Sequence, residues 1–523
     1  MKNLSAQIGI LIAAMFLWEN MAVESAAQSD LSAALALEEA FVETIDRNEK
    51  SVVSIARIRL DPNPQPPQRF NPFPFPDQRD QLRQNREDPR SPEFIPNEFG
   101  AGVILAPQNE PEKRYILTNY HVVKGGPVFG RGNEQTESLL YVRFVSGAGY
   151  HASILAADPR SDLAVLAIDY EKLQLKPEDL KPLRFAQHET LRKGQIVIGL
   201  GNPYAIARDG SPSASWGIVS NLARAPKPPP DPETFTVSPE ETLHHTGTLI
   251  QVDMRLNLGT SGGALLNLHG DFVGLTTSLA ALEGYETSAG FAIPADKRFQ
   301  RIFETLARGE EVEYGFLGVT PQDIPSAELT LRKLPLGQSG GAELAQVFHN
   351  SPAGQGGIKR GDIVLSIDGR TILNRRDLMR EISLLGPETR TTLKVFRPEQ
   401  GRALFLNVKL GKWPSQDEEE MIVTQPRYPG WRGLQVDYPT GRSRFLTRSF
   451  SYPDAVLVRE IKADSPSSAT ELQSGEFIAT VNNRPVRTPA EFHKAVEKLS
   501  GTVVLKLIDG REIAISDAEP DAP

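Results

Sequence analysis

Cysteine is absent from all 523 residues of the chain. Its absence excludes disulfide bonds, thiolate nucleophiles and cysteine-ligated zinc together. The eight histidines do not stand at the spacing of a metal site, and the adjacent pair His244 and His245 is interpreted as a solvated loop. We therefore expect neither a metal nor a cofactor.

Clustered positive charge is lacking as well. The formal net charge is -9, whereas binding to nucleic-acid phosphates needs clustered lysine and arginine. Nucleic acid is therefore not an expected partner. The apolar and charged fractions, 39% and 24%, are those of an ordinary globular protein, and the length is too great for one core. We expect several domains.

The sequence also has few long apolar runs. The one near the N-terminus, Ile8 to Trp18, follows Lys2 and precedes small residues at 25–27, and it is too short to span a bilayer comfortably. This pattern predicts a signal peptide over residues 1–27 that is cleaved on export. The expected location is the periplasm, and the alternative is an uncleaved anchor that holds the protein on the membrane, facing the periplasm.

Three short segments carry the residues of a nucleophilic site. They are Leu-Thr-Asn-Tyr-His-Val-Val with His121, Ser-Asp-Leu-Ala-Val-Leu with Asp162, and Leu-Gly-Thr-Ser-Gly-Gly-Ala-Leu with Ser261. A serine hydroxyl becomes a useful nucleophile with a base to take its proton and a carboxylate to orient that base, and His, Asp, Ser is a known order. The amides of Gly259 and Ser261 can supply an oxyanion hole. The sequence therefore predicts a serine protease.

Other candidates for the base and the carboxylate are interpreted as surface residues. Asp158 precedes a proline and Asp169 ends a strand pattern, so both are expected in solvated turns. His151 stands in a strand pattern beside a tyrosine and is expected on the surface.

The order of patterns along the chain predicts a modular, mainly β protein. A helical pattern at 31–49 leads into a strand at 51–58, within an N-terminal segment 28–60. Residues 61–97 hold ten prolines and are predicted to be a mobile insertion, whose phenylalanines could dock on another subunit. From 98–310 short apolar runs alternate with turn residues, which predicts an all-β catalytic domain.

The C-terminal half has a different pattern. Strands and one amphipathic helix are predicted within 314–412, and a weaker copy follows at 430–516 after an acidic, proline-containing linker at 413–429, with a tail at 517–523. The sequence therefore contains an internal repeat.

Several motifs resemble those of the HtrA/Deg family of serine proteases, in the family's order. They are Gly100-Ala-Gly-Val-Ile, Thr118-Asn-Tyr-His-Val-Val, Asp158-Pro-Arg-Ser-Asp-Leu-Ala-Val-Leu, Ile198-Gly-Leu-Gly-Asn-Pro-Tyr and Gly290-Phe-Ala-Ile-Pro. The resemblance implies a trypsin-like double β-barrel followed by two small α/β PDZ domains. It also implies that His121 is the general base, Asp162 its orienter and Ser261 the nucleophile.

Ser351-Pro-Ala-Gly and Ile358-Lys-Arg-Gly-Asp-Ile resemble a PDZ domain. The resemblance implies that apolar C-terminal peptides bind beside Phe316, Leu317, Gly318 and Val319, where backbone amides capture the terminal carboxylate. In the second copy, Gly430-Trp-Arg-Gly-Leu departs from this pattern, so docking or assembly is an equal alternative there.

The serine loop also departs from the family pattern, with Leu258, Thr260 and Ala264 in place of proline, asparagine and proline. No reacting group is lost, but the β-branched Thr260 could tilt the peptide bond of the oxyanion hole. The segments expected to border the primary pocket carry no acidic residue, so an apolar side chain is expected at the cleaved position.

The resemblance implies an exported endopeptidase that degrades misfolded or unassembled envelope proteins. Members of the family assemble as trimers or multiples of trimers, so a homo-oligomer is implied. The alternative function is a chaperone-like scaffold that binds unfolded polypeptides through a catalytically weak barrel.

Overall fold

The fold is that of a computed structural model. It describes most of the chain from residue 31 onward, in the ranges 31–59, 98–124, 138–187, 191–202, 210–225, 242–254, 259–277, 290–329, 337–415, 420–445 and 452–517, with residues 89, 91, 94, 96, 256, 334–335 and 418. The predicted signal peptide and the phenylalanines at 70, 73 and 75 lie outside the described residues. The predictions for those segments remain predictions.

The N-terminal part begins with helix α1, residues 31–48, and a short 3-10 turn at Glu49–Ser51. One mixed-length antiparallel sheet follows, built from β1 Val52–Arg59, β2 Glu98–Leu105, β3 Tyr115–Asn119, β4 Ser138–Arg143, β5 Gly149–Ala152, β6 Ile154–Asp158 and β7 Leu163–Leu166. Helix α2 is Tyr120–Lys124 and α3 is Tyr170–Leu173, followed by a 3-10 turn at Pro177–Asp179. β7 is buried at all four residues, which explains its continuous apolar sequence.

The second barrel is closed. Its six strands are β8 Ile196–Gly201, β9 Ser213–Arg224, β10 Leu249–Val252, β11 Ala264–Leu266, β12 Phe272–Thr277 and β13 Gly290–Pro294, in the order β10-β13-β12-β11-β8-β9. A 3-10 helix, Leu243–Thr246, precedes β10. The mainly β, two-barrel architecture expected from the sequence is confirmed.

Helix α4, Lys297–Ala307, seals the core that the two barrels share. Its N-cap Asp296 accepts hydrogen bonds from the amides of the first turn, which stabilises the helix start. Phe299, Ile302, Phe303 and Leu306 recur at helical spacing and are buried. They pack in the same core as Phe272 of β12. The sequence pattern therefore places one apolar face against the barrels.

The first PDZ domain comprises β14 Gly315–Phe316, β15 Val319–Asp323, α5 Ser326–Leu329, β16 Ala342–Val347, α6 Pro352–Gln355, β17 Ile363–Ile367, β18 Arg370–Thr371, α7 Arg375–Ser383, β19 Arg390–Arg397, a 3-10 turn at Pro398–Gln400, β20 Arg402–Lys409 and β21 Gly411–Lys412. The main sheet has the order β15-β16-β17-β19-β20, so β15 lies at an edge. Asn374 caps α7 by accepting from the Asp377 amide at 2.9 Å.

The second PDZ domain repeats this order. A two-residue strand in the linker, β22 Ile422–Val423, comes first. It is followed by β23 Leu434–Asp437, a 3-10 turn at Ser443–Phe445, β24 Val456–Ile461, β25 Phe477–Val481, β26 Arg484–Pro485, α8 Pro489–Val496, β27 Val503–Leu507 and β28 Glu512–Ile515. The sheet order is β23-β24-β25-β27-β28. In the part of the chain that the structure describes, none of the helices has the length and apolarity that a membrane span requires.

Candidate active site

His121 lies in the first turn of α2, directly after β3. Its Nδ1 is 2.9 Å from Asp162 Oδ1 and 3.0 Å from Oδ2, and its backbone amide donates to Oδ1 at 3.1 Å. Because a carboxylate can only accept, Nδ1 carries the proton and Nε2 is the acceptor in the neutral ring. The Nε2 atom is buried and has no hydrogen-bond partner among the described residues. It is therefore available to take a proton.

Asp162 is fixed from several sides. Asn119 donates from Nδ2 to Asp162 Oδ2 at 3.0 Å and to its carbonyl oxygen at 3.1 Å. The Tyr120 amide donates to the same carbonyl at 3.0 Å. The carboxylate and the backbone of this residue are therefore both held by the chain segment that carries His121, so the pair is built as one unit.

Ser261 stands on backbone that adjoins this unit. The Ala101 amide of β2 donates to the Ser261 carbonyl at 2.8 Å, and Thr118 Oγ1 donates to the Ala101 carbonyl at 2.7 Å. A Cβ added to Gly100 would lie 2.6 Å from a methyl of Val122 and 3.2 Å from the Ser261 carbonyl oxygen. The glycine therefore lets α2 and the serine turn approach each other closely.

Two glycines shape the serine turn. Gly259 has φ of +94° and Gly262 has φ of +82°, a region that side chains rarely adopt. A Cβ on Gly262 would overlap the Ala101 carbonyl, and one on Gly259 would overlap the Asn202 carbonyl. Thr260 between them is held at its carbonyl by Thr276 Oγ1, at 2.5 Å. Leu258 lies outside the described residues.

The prediction that Asp158 lies in a solvated turn is wrong. The residue is only 3% exposed. Its Oδ2 accepts from the Ser161 amide at 2.9 Å, from Ser161 Oγ at 2.5 Å and from the Tyr314 hydroxyl. Burial raises the pKa of Asp158, and the hydrogen bonds from Ser161 and Tyr314 oppose that rise. Asp158 braces the turn that carries Asp162.

His244 was also interpreted wrongly as solvated. It is 2% exposed, with Nε2 2.9 Å from the Ser161 carbonyl and Nδ1 2.8 Å from Thr248 Oγ1. A carbonyl only accepts, so Nε2 is the donor. His244 thus supports the residue that precedes Asp162. Its flanking sequence holds no motif that would have revealed this role.

The predicted peptide-binding loop of the first PDZ domain joins β14 to the edge strand β15. Gly318 has φ of +76°, and its carbonyl accepts from the Phe348 amide at 3.0 Å. The Leu317 carbonyl accepts from the Ala353 amide at 2.9 Å. Phe316 is buried between Trp413 and Tyr452, with ring centroids 6.0 Å and 5.5 Å away. Edge strands such as β15 can accept an added peptide strand.

In the second PDZ domain, one aromatic residue from the end of the linker and one from the start of the domain pack against helix α8. The ring of Trp431 lies 6.0 Å from that of Phe492. Tyr428 stacks on His493 at 4.7 Å with an interplanar angle of 11°, and burial lowers the pKa of His493. This copy therefore departs from the first in structure as well as in sequence.

The described ranges contain no group of three or more histidine, aspartate or glutamate side chains that could hold a metal ion. In this geometry the Asp162 carboxylate orients the His121 ring, and helix α2, which carries His121, and the Ser261 backbone both pack around Gly100. In such an arrangement the histidine can take the proton of the serine hydroxyl and then give it to a leaving group.

Comparisons with known proteins agree with this chemistry. The family model described as a trypsin-like peptidase domain matches residues 100–275, and that of the PDZ domain matches residues 315–410. The periplasmic serine endoprotease DegP of Salmonella typhimurium is 27% identical over 412 residues, which are 79% of this chain and 74% of that protein.

Two further likenesses extend over a similar part of the chain. A probable periplasmic serine endoprotease, DegP-like, of Chlamydia trachomatis is 28% identical over 442 residues, 84% of this chain and 76% of that protein. The solved structure of the HtrA-type protease AlgW with a tripeptide has a TM-score of 0.48 at 24% identity, and covers 72% of this chain and 99% of that one.

The peptidase and PDZ matches, together with the fold, define a trypsin-like serine endopeptidase that carries PDZ domains. Together with the DegP relatives, these matches support an HtrA/Deg family protease.

Proposed function

We propose that the protein is an exported endopeptidase that degrades misfolded or unassembled envelope proteins through an acyl-enzyme. The observation that carries the proposal is the His121–Asp162 pair, whose Nδ1 to carboxylate distances are 2.9 and 3.0 Å and whose Nε2 is left as an acceptor beside the serine turn. The relatives named as periplasmic serine endoproteases support both the activity and the periplasmic location.

In the proposed reaction, His121 Nε2 takes the hydroxyl proton while Ser261 Oγ bonds to the substrate carbonyl carbon. The carbonyl oxygen becomes an oxyanion that the amides of Gly259 and Ser261 stabilise. His121 then gives the proton to the departing amine as the peptide C–N bond breaks. Water, with His121 again as base, hydrolyses the acyl-enzyme and restores the serine.

Substrate choice rests on two further proposals. An apolar side chain enters the primary pocket, since Thr276 and Thr277 of β12 and the strand β13 carry no acidic group. Apolar C-terminal peptides of unfolded proteins bind at Phe316, Leu317, Gly318 and Val319 and add to the edge of β15. Both features suit chains whose apolar segments are exposed by misfolding.

The test uses the mature chain from residue 28, a fluorophosphonate probe and unfolded casein. We expect probe labelling and casein loss, and we expect both to vanish in Ser261→Ala. Asp162→Asn should keep the fold and lower kcat by about 10⁴, because the neutral amide no longer stabilises the imidazolium and favours the wrong tautomer of His121. If the unmodified chain neither labels nor cleaves, with or without an apolar C-terminal peptide, the scaffold alternative replaces the protease.

A further inference from the structure

The linker between the two PDZ domains does not run free across the surface. Its residues 420–425, here called the linker segment, lie on the first barrel of the peptidase domain. Ile422 and Val423 form β22, which pairs antiparallel with β6 opposite Ala157 and Ala156. The sheet order β22-β6-β7-β3 makes this segment the outer strand of the barrel sheet.

Hydrogen bonds from side chains and from the backbone secure the linker segment at both ends. Thr424 Oγ1 donates to the Leu155 carbonyl at 2.8 Å, and the amides of Thr424 and Gln425 donate to the Gly309 carbonyl at 3.0 Å. At the other end the Tyr120 hydroxyl donates to the Glu420 carbonyl at 3.2 Å. Ile422 packs on the core cluster that contains Val122 of α2.

These contacts fall on the two chain segments that carry the proposed base and its carboxylate. Tyr120 immediately precedes His121, and β6 leads into the turn that ends at Asp162. An edge strand without a partner has half of its main-chain groups unbonded and is free to twist. With β22 in place, Ala156 and Ala157 of β6 have a strand partner on both sides.

We propose that the linker segment is a positioning element of the active site, which holds β6 and α2 in the register that aligns His121 with Asp162. The proposal rests on the roles assigned to these two residues above. Activity on small substrates then depends on a piece of chain that lies beyond the first PDZ domain, although that piece touches no substrate. A displacement of about 1 Å in a reacting group can lower the rate about 100-fold.

The first test compares full-length variants on a short chromogenic peptide that is too small to need a PDZ domain. Ile422→Pro removes a main-chain donor and disfavours pairing with β6. We expect kcat to fall about tenfold with KM nearly unchanged, because orientation and not binding is lost. Thr424→Val should give a smaller fall in the same direction, and Thr424→Ser, which keeps the donor to Leu155, should match the unmodified chain.

The second test locks the segment in place. Ala156 and Val423 are directly opposite, and the chain has no other cysteine, so Ala156→Cys with Val423→Cys can form one disulfide. We expect the oxidised form to keep full kcat. An oxidised form that is inactive until reduced would overturn the proposal, since the segment would then have to leave for activity.

Unchanged kcat in Ile422→Pro, with circular dichroism as in the unmodified chain, would also overturn it. In that case the unmodified chain still cleaves and labels at Ser261, so the proposed function survives. Failure of the unmodified chain to label would instead overturn both proposals. A fall in kcat in Ile422→Pro, an intermediate fall in Thr424→Val and full activity in the oxidised pair would together support the assignment.

Discussion

At the scale of single residues, the site depends on backbone that side chains rarely allow. Asp162 has φ of 54°, which aspartate tolerates better than most residues. This conformation turns its carboxylate back toward Asn119 and His121 and leaves its carbonyl to accept from the Tyr120 amide. The glycines that flank Ser261 need positive φ for a different reason, namely close packing against β2.

Gly262→Ala is expected to destabilise the peptidase domain strongly. The left-handed conformation, with φ of +82°, costs a side chain about 1–2 kcal/mol, and the new Cβ would also overlap the Ala101 carbonyl. Gly147→Ala is the matched control, because its φ is +81° and nothing lies within 4 Å of the added atom. Thermal unfolding and fluorophosphonate labelling measure both; equal losses in the two variants would contradict this account.

The residues that the sequence revealed and those it hid differ in how far away their partners lie. His121, Asp162 and Ser261 stand in short motifs whose chemistry can be argued from a few neighbouring letters. Asp158 was misjudged because its burial depends on the hydroxyl of Tyr314, 156 residues later. His244 was misjudged because its partner, the Ser161 carbonyl, has no side-chain signature.

At the scale of elements, the two PDZ domains differ in how an arginine pairs with the acidic residue that directly precedes β17 or β25. In the first, Arg397 and Asp362 form a two-pronged ion pair at 2.8 and 2.7 Å, with side chains 9% and 1% exposed. In the second, Arg511 pairs with Glu476 and Asp509 at the surface. The first pair holds β19 against the turn before β17 inside the domain, whereas the second is open to water.

Arg397→Ala should destabilise the first PDZ domain by about 3 kcal/mol, since it leaves the buried Asp362 carboxylate without its cation. Arg511→Ala is the control and should have little effect, because exposed ion pairs contribute little. Hydrogen exchange of β17 and β19, compared with β25 and β27, reads each domain separately. Comparable deprotection of the two domains in their respective variants would refute the distinction.

Helices and strands were predictable where residues close together in the sequence carry the apolar pattern. The spacing of apolar residues indicated one amphipathic helix within 314–412, which is α7, and Asn374 caps its N-terminus. β22 was not predicted, because its pairing with β6 uses main-chain groups that every residue possesses. The strand is also only two residues long. The alternation that reveals a strand needs more residues than that. The linker was therefore predicted as an irregular connection, and its pairing is a finding of the structure.

At the scale of the whole molecule, a buried group of charges joins the three domains. Glu311 follows the peptidase domain, Lys412 ends the first PDZ domain, and Asp437 and Arg442 belong to the second. Lys412 Nζ lies 2.8 Å from Glu311 and 3.0 Å from Asp437, and Arg442 binds both carboxylates. The side chains of Lys412 and Arg442 are 2% and 0% exposed. Buried charges of this kind require their partners.

Stability at this junction should depend on pH through Glu311. Burial alone would raise its pKa, but Lys412 and Arg442 outweigh burial and hold the pKa of Glu311 below its usual value. A lowered folded-state pKa stabilises the protein above the unfolded value of about 4.3, and this contribution is lost as the pH falls toward the folded-state pKa. The stability difference between the unmodified chain and Glu311→Gln should therefore shrink between pH 6 and about pH 3.

The measurement compares the free energy of unfolding of two chains because Glu313 lies in the same cluster. Burial raises the pKa of Glu313, so its contribution to stability changes with pH in the direction opposite to that of Glu311. Both chains carry Glu313→Gln in the urea unfolding at each pH, because Glu311 itself raises the pKa of Glu313 and the contribution of Glu313 would otherwise differ between them. A difference that stays constant with pH would show that Glu311 does not titrate with folding.

An apolar stripe on α1 supports the proposed homo-oligomer. Leu31, Leu35 and Val42 recur on one face of the helix and are 60%, 54% and 45% exposed. Trp216, 63% exposed, lies beside the helix against Phe41, with ring centroids 5.5 Å apart. Clustered exposed apolar side chains mark interaction surfaces, whereas single ones are normal on a protein surface.

If the protein forms the homo-oligomer that the family resemblance implies, Leu35→Lys should shift it toward single chains, because a charge in a buried apolar contact is costly. Glu43→Lys is the control: it places the same side chain on the same helix, outside the stripe. Multi-angle light scattering gives the mass of each variant, and fluorophosphonate labelling of Ser261 reports whether the peptidase domain is intact. The interface lies elsewhere if both lysine variants keep the mass of the unmodified protein, and a loss of mass in both would mean that added charge, and not the stripe, controls assembly.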